Sequence, residues 1–161
     1  MEKLAMVDME HLNLVPQLCV AFNIGKAYRS VLKLFEEAYK DGPLTTMQYG
    51  LLVHIGMLEP ASSSDIRAAT GHDLSTLTRT LAPLEKSGFI ENLGTDAHDK
   101  RVKRYKLTVT GRKALEETLN RWLGVQQSIL GNVEQSQWEQ ALETLKKIQA
   151  MAFEGTGETD S

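Results

Sequence analysis

The most evident chemistry in the sequence lies in a short run of hydroxyl and guanidinium side chains near its middle. Leucines recur there at the spacing of one helix face, which we expect to pack in the core, at Leu74, Leu77, Leu81 and Leu84. The polar side chains between them are expected to face outward: Ser75, Thr76, Thr78, Arg79 and Thr80. Hydroxyl groups bond phosphates or base edges, and an arginine can bind both acceptor atoms of guanine. Because Ser and Thr are poor helix formers, we interpret this run as a contact surface for DNA rather than an ordinary polar face.

A second cationic group lies further along the chain. Residues 96–106 hold five Lys or Arg against two Asp, and apolar and basic residues alternate in the last part of this segment. Such alternation predicts a β-hairpin, whose charged tip would enter a DNA groove. The predicted contact residues are Asp99, Lys100, Arg101 and Lys103. Asp99 alone would repel phosphate, so we assign it the orientation of Arg101 through a salt bridge.

The distribution of charge favours a nucleic-acid partner more than the total charge does. The 161 residues carry a formal net charge of -3. Residues 62–113 nevertheless hold ten basic and six acidic side chains, whereas the rest of the chain holds eight and fifteen. A basic middle between acidic flanks is typical of a protein with one phosphate-binding section, although a solvated basic surface explains the charge alone equally well.

Other classes of function find little support in the residues. The four histidines lack metal-ligand spacing, and we find no phosphate-binding loop and no convincing nucleophile–base pair. Neither a metal, a cofactor nor an enzyme activity is therefore expected. No apolar stretch is long enough to span a membrane, the acidic N-terminal segment lacks a secretory cleavage site, and the single cysteine, Cys19, cannot form an intramolecular disulfide. We expect a cytoplasmic protein.

Local signals predict the elements that position the two contact groups. Capping boxes, in which Ser or Thr precedes an acid or amide by three residues, begin two helices at Thr45 and Ser62. Gly71 ends the second of these helices and Asp73 caps the next, which is the spacing of a helix-turn-helix. With the hairpin that follows, the predicted fold is mostly α with a small β-wing: a winged helix-turn-helix with N- and C-terminal dimerisation helices.

Long amphipathic helices are predicted on both sides of the winged unit. One precedes Asp41, a second covers about 109–130, and a third begins with a cap at Ser136. Their apolar stripes need a partner, for which a second subunit is the economical choice and an intrachain bundle the alternative. We therefore assign the chain regions as follows: 10–42 and 109–153 helical dimerisation region, 44–108 winged helix-turn-helix DNA-binding domain, 154–161 disordered tail.

Four stretches of the sequence carry a family resemblance. They are Ala-Ser-Ser-Ser-Asp-Ile from position 61, Leu-Ser-Thr-Leu-Thr-Arg-Thr-Leu from 74, Leu-Glu-Lys-Ser-Gly-Phe-Ile from 84 and Asp-Lys-Arg-Val-Lys-Arg-Tyr-Lys-Leu-Thr-Val-Thr-Gly from 99. In this order they resemble the MarR family of bacterial regulators. The resemblance implies a homodimeric repressor on an inverted-repeat operator, with Thr78 and Arg79 in the recognition helix and Asp99 and Arg101 in the wing. The family often has an arginine where His98 stands.

The resemblance implies one of two input signals. The first is a small-molecule effector, an aromatic acid or phenol, whose candidate contacts are Phe22, Tyr28, Tyr49, His54 and Trp122. Side chains of these types on apolar helix faces are more often core residues than ligand contacts. The second is oxidation of Cys19, but Lys33 and Thr46 stand where the peroxide-sensing branch of the family has two assisting tyrosines. A winged module that binds protein instead of DNA is a further alternative, against which Arg79 and the wing pair argue.

Overall fold

The computed structural model describes the backbone of residues 9–95 and 102–154, and the side chains of residues 12–95 and 102–151. Its elements in chain order are α1 Met9–Leu18, α2 Val20–Tyr39, α3 Thr46–Leu58, β1 Ala61–Ser62, α4 Ser63–Thr70, α5 Leu74–Lys86, β2 Ile90–Thr95, β3 Lys103–Leu107, α6 Val109–Leu130 and α7 Gln135–Glu154. The chain divides into two compact units, Met1–Arg121 and Trp122–Ser161. The prediction of a mostly helical fold with a small β-wing is confirmed.

Side-chain caps define where the helices of the helix-turn-helix begin and end. The predicted capping boxes at Thr45 and Ser62 are both present, at the start of α3 and α4. Gly71 ends α4 in the left-handed conformation at φ 68°, which a residue without Cβ adopts at little cost. Asp73 then begins α5, because its Oδ1 accepts the amide hydrogen of Thr76 at 2.8 Å. These local contacts fix the turn between α4 and α5.

The wing belongs to a three-stranded antiparallel sheet in the order β1–β3–β2. The strand β1 was not predicted, because its two residues acquire strand geometry only through pairing with a distant segment, as Ala61 does with Tyr105. The pairing of β2 with β3 is irregular between Asn92 and Thr95. Gly94 lies at this irregularity with φ 90°, and its amide donates to Asn92 Oδ1 at 3.0 Å. The ladder between β2 and β3 is therefore irregular around Gly94.

The core of the first unit lies among α3, α4, α5, the sheet and the start of α6. Its buried residues are Leu44, Leu51, Leu52, Ile55, Ala61, Ile66, Leu77, Leu81, Leu84, Ile90, Tyr105, Leu107 and Ala114. One predicted core position is wrong: Leu74 is 60% exposed. It is the first residue of α5, and the buried stripe of that helix begins one turn later, at Leu77.

The predicted first helix is in fact two helices that meet at Cys19. The ψ of Cys19 is 115°, which lies outside the helical range. In a continuous helix the carbonyl of Pro16 would accept the amide of Val20; here the side chain of Asn23 donates to it at 3.2 Å and to the carbonyl of Cys19 at 2.9 Å. This amide side chain competes with the backbone ladder, and the half-buried Cys19 consequently lies between helices rather than within one.

In the second unit, α7 begins before the predicted cap. The amide of Trp138 bonds to the carbonyl of Glu134 at 3.1 Å, so Ser136 lies inside the first turn and the predicted cap there is wrong. The apolar stripe of α7 remains accessible, with Trp138 and Leu142 each 36% exposed and Met151 72% exposed. Within the described parts of both units, no helix combines the length and apolarity needed to cross a membrane.

Candidate nucleic-acid interface and ligand cavity

One face of α5 forms a shallow groove on the surface of the first unit. It is lined by Leu74, Ser75, Thr78, Arg79 and Ala82, which follow the spacing of a single helix face. Three of the five predicted contact residues on this helix therefore lie together. The other two, Thr76 and Thr80, are half-buried at the sides of the helix.

The threonines of α5 use their hydroxyl hydrogens inside the helix. Thr78 Oγ1 donates to the carbonyl of Leu74 at 2.8 Å, and Thr80 Oγ1 donates to the carbonyl of Thr76 at 3.1 Å. Thr76 Oγ1 in turn donates to Asp73 Oδ2 at 2.8 Å. A hydroxyl has one hydrogen and two lone pairs, so these threonines retain only an acceptor oxygen and a methyl group for a ligand. The expected donation from them to phosphate is not available in this conformation.

Basic side chains also lie on the described part of the wing, which follows α5 in the chain. Lys103, a predicted contact residue, is exposed at the first position of β3 and pairs with Thr95 of β2. Lys106 forms an exposed salt bridge with Glu91, with Nζ and Oε2 3.0 Å apart. The other predicted wing contacts, Asp99, Lys100 and Arg101, lie outside the described residues, as does His98.

The base of the wing is attached to the end of α3 by a carboxylate that the sequence did not single out. Glu59 Oε1 accepts the amide hydrogen of Leu107 at 2.6 Å, and Oε2 pairs with the guanidinium of Arg112. The side chain of Glu59 is 21% exposed. Since its partners lie 48 and 53 positions away, no local sequence signal could have identified this contact.

Thr108 and Gly111, which belong to the last stretch of family resemblance, have a structural role at the start of α6. Thr108 Oγ1 donates to the carbonyl of Gly88 at 2.6 Å and accepts the amide of Gly111 at 3.0 Å. A Cβ on Gly111 would lie 2.0 Å from the carbonyl oxygen of Phe89. The pair therefore allows α6 to begin directly against the turn that precedes β2.

A cavity of about 840 Å³ opens between α2, α3 and the end of α4. Its lining is mainly apolar and includes Tyr28, Leu32, Phe35, Tyr39, Leu51 and His54, together with Thr70 at the end of α4 and His72 from the turn that leads into α5. The volume lies in the range of small-molecule sites. Two of the predicted effector contacts, Tyr28 and His54, line this cavity; Phe22 and Tyr49 are not among its lining residues, and Trp122 belongs to the second unit.

Three polar atoms in the cavity lining are buried and have no hydrogen-bond partner within the described residues: Tyr39 Oη, Thr46 Oγ1 and His72 Nδ1. An unpaired buried polar atom costs on the order of 1–3 kcal/mol, so each of these three atoms would be stabilised by a hydrogen-bonding partner. Burial, and secondarily the neighbouring Tyr49, raises the pKa of Tyr39. Its hydroxyl is therefore protonated at neutral pH and able to donate.

His54 lines the cavity, and one hydrogen bond defines the tautomer of its neutral ring. Its Nδ1 lies 2.7 Å from the carbonyl oxygen of Gly50, and because a carbonyl only accepts, Nδ1 carries the hydrogen. In the neutral ring Nε2 is then an acceptor. The lining contains one lysine, Lys40, whose side chain is 65% exposed and 3.6 Å from Glu37. No buried ammonium or guanidinium therefore faces this cavity among the described residues.

Comparison with known proteins agrees with a winged helix-turn-helix of the DNA-binding kind. Residues 43–102 match the family model of the MarR family. The chain is similar to the transcriptional regulator MosR of M. tuberculosis in complex with DNA, with 25% identity over 83% of this chain and 98% of that one, at a TM-score of 0.70. No match was found among curated protein sequences.

Two further solved structures share the fold. A cysteine-to-serine mutant of MarR from E. coli, complexed with operator DNA, is 21% identical over 84% of this chain and 96% of that one, at a TM-score of 0.73. BpsR of Bordetella bronchiseptica, whose DNA binding is regulated by 6-hydroxynicotinic acid, is 23% identical over 81% and 98%, at a TM-score of 0.73. The family match over residues 43–102 and the shared architecture make the chain similar to winged-helix transcription regulators of the MarR family.

Proposed function

We propose that the protein is a homodimeric repressor that binds an inverted-repeat operator and is released by a small uncharged effector. The observation that carries the DNA part is the exposed face of α5, on which Ser75, Thr78 and Arg79 line one groove. In a helix-turn-helix this helix enters the major groove, where an arginine binds guanine bidentately. Arg101 and its neighbours on the wing would add contacts to the adjacent minor groove.

The homodimer is supported by apolar surface that the first unit leaves uncovered. Large apolar side chains of α1 and α2 are exposed: Leu12, Leu14, Val15, Leu18, Val20, Phe22 and Ile24, each at 38% or more. Seven exposed large apolar side chains on two successive helices favour a subunit interface over a solvated surface. Two winged units in a two-fold dimer would bind two half-sites about one helical turn, on the order of 34 Å, apart.

The DNA-binding part is tested by fluorescence anisotropy with the protein's own upstream intergenic DNA and a shuffled duplex of the same composition. We expect tight binding to the upstream DNA, with a steep decrease in affinity as salt rises because phosphate contacts release counterions. Sedimentation of the same samples should give two protein chains per operator. Equal affinity for the two duplexes at every salt concentration would reject sequence-specific regulation and favour a protein-interaction module.

The effector part rests on the cavity and its unpaired polar atoms. Tyr39 offers a donor, and His54 offers an acceptor, whereas no buried cation is available to neutralise a carboxylate. Desolvation of an unpaired carboxylate is costly, so these residues favour a phenol-like ligand over an aromatic acid. Because His72 lies in the turn just before the cap of α5, a ligand that bonds its Nδ1 would bias the position of the recognition helix.

A further inference from the structure

The first residue of the recognition helix presents an apolar side chain to the same groove as the predicted base contacts. Leu74 is 60% exposed, although it was expected in the core. It lines the groove with Thr78, Arg79 and Ala82. An exposed leucine is unremarkable alone, but this one lies on the face that the proposed function turns toward the floor of the major groove.

The hydrogen bonds of α5 make this face more apolar than its sequence indicates. The hydroxyl hydrogen of Thr78 is held by the carbonyl of Leu74 at 2.8 Å, so Thr78 contributes an acceptor oxygen and a methyl group. Ala82 adds a second methyl group one turn further along. Apart from Ser75, the donor that remains on this face is the guanidinium of Arg79, whose side chain has no intramolecular partner in the described part of the chain.

Among the base edges in the major groove, the apolar group is the C5-methyl of thymine. We propose that Leu74 determines operator specificity by packing against the methyl group of a thymine, with Thr78 completing the apolar contact, while Arg79 binds a nearby guanine. The inference rests on the proposed function, because it needs α5 in the major groove. It adds a thymine to the half-site that the hydroxyl-rich sequence of α5 does not indicate.

The spacing of the two side chains limits where this thymine lies. Leu74 and Arg79 are five residues apart, which corresponds to about 7.5 Å along the helix axis. Stacked bases are separated by about 3.4 Å along one strand, so we expect the thymine within about two base-pair steps of the guanine. A scan of the half-site can therefore be confined to a few positions.

The test uses thymine-to-uracil substitution, which removes the methyl group and retains base pairing. Each thymine of the operator half-site is replaced in turn, and affinity is measured by anisotropy for the full-length wild-type protein and for Leu74→Ala. For wild type we expect about a fourfold loss at one thymine, the ratio that corresponds to ~0.8 kcal/mol for one buried carbon group. For Leu74→Ala the loss on removal of the methyl group should fall well below fourfold, because only the smaller contact with Thr78 remains.

Two control variants separate this contact from a general effect on the helix. Leu74→Met keeps an apolar side chain and should retain the sensitivity to uracil. Met57→Ala removes an apolar side chain that is 77% exposed on α3 and should leave the fourfold ratio unchanged. Specific binding that is indifferent to every uracil substitution would overturn the role of Leu74 and leave the proposed repressor intact. Absence of specific binding to any duplex would instead reject the proposed function itself.

Discussion

Glu59, at the end of α3, accepts the amide hydrogen of Leu107, at the end of β3, with Oε1 and the amide nitrogen 2.6 Å apart. Its second oxygen pairs with Arg112 in the first turn of α6. One carboxylate thus joins three elements that carry the wing. Because the wing and α5 must meet DNA together in the proposed complex, this junction is a structural requirement for operator binding that lies outside the contact surface.

Removal of this carboxylate should destabilise the first unit. Glu59→Ala leaves the Leu107 amide without an acceptor, and we expect a loss of about 1–3 kcal/mol in the free energy of unfolding. Glu59→Gln retains an acceptor oxygen and should lose less. Urea unfolding measures both. As a control, Glu116→Ala removes an exposed carboxylate of α6 and should change stability by no more than ~0.5 kcal/mol. Equal stability of Glu59→Ala and Glu116→Ala would contradict the assigned junction.

Two glycines of α6 should respond to alanine in opposite directions. A Cβ on Gly111 meets the Phe89 carbonyl oxygen at 2.0 Å, whereas a Cβ on Gly124 meets nothing within 4 Å. Gly111→Ala should therefore destabilise the protein by at least ~1–3 kcal/mol, because backbone must move. Gly124→Ala should stabilise it by up to ~1 kcal/mol through higher helix propensity. Thermal unfolding of the two variants provides the comparison, and a Gly111→Ala protein as stable as wild type would refute this account of Gly111.

The N-terminal cap of α5 should be lost in acid. Hydrogen bonds from the backbone amide and then the hydroxyl of Thr76 hold the pKa of Asp73 below its ordinary value of 3.8. A carboxyl group whose pKa is lower in the folded state contributes stability above its unfolded pKa and loses it as the pH falls through the folded value. The uncharged Asp73→Asn variant should therefore be less stable than wild type at pH 5, with a difference that shrinks below pH 3.8. A difference that stays constant from pH 5 to pH 2.5 would show that the cap does not depend on the charge.

Removal of the unpaired hydroxyl of Tyr39 should affect protein stability and the response to an effector in different ways. Tyr39→Phe removes a buried oxygen without a partner, so the free protein should be as stable as wild type or more stable. The same variant should respond less to a phenolic effector. Methyl 4-hydroxybenzoate and anionic 4-hydroxybenzoate are suitable probes, of which the ester should release operator DNA at a lower concentration. Tyr49→Phe, outside the cavity lining, serves as the control. Preference for the anion would overturn the uncharged effector.

The features that the sequence predicted correctly are those set by neighbours in the chain. The capping boxes at Thr45 and Ser62 and the stop at Gly71 each depend on residues within one turn, so their signals are local. The leucine stripe of α5 was visible because helical periodicity is local as well. These signals sufficed for the winged helix-turn-helix and for the position of α5 within it.

The features that the sequence did not predict arise from contacts across the chain or from small differences in position. The strand at Ala61 exists because Tyr105 pairs with it, and the unpaired atoms of the cavity are recognised only when their surroundings are known. Leu74 fits the leucine spacing, yet it is the first residue of α5, and the buried residues of this helix start one turn later. At Cys19 the side chain of Asn23 replaces a backbone hydrogen bond, which no periodicity reveals.

The most direct test of the account is the operator affinity of Arg79→Ala relative to Arg29→Ala. Both variants remove one exposed arginine, but only Arg79 lies in the groove of α5. At matched salt, Arg79→Ala should lose about 1–3 kcal/mol of specific binding, whereas its affinity for shuffled DNA should fall much less, and Arg29→Ala should resemble wild type. If the two variants bind the operator equally well, α5 is not the element that recognises DNA sequence in this protein.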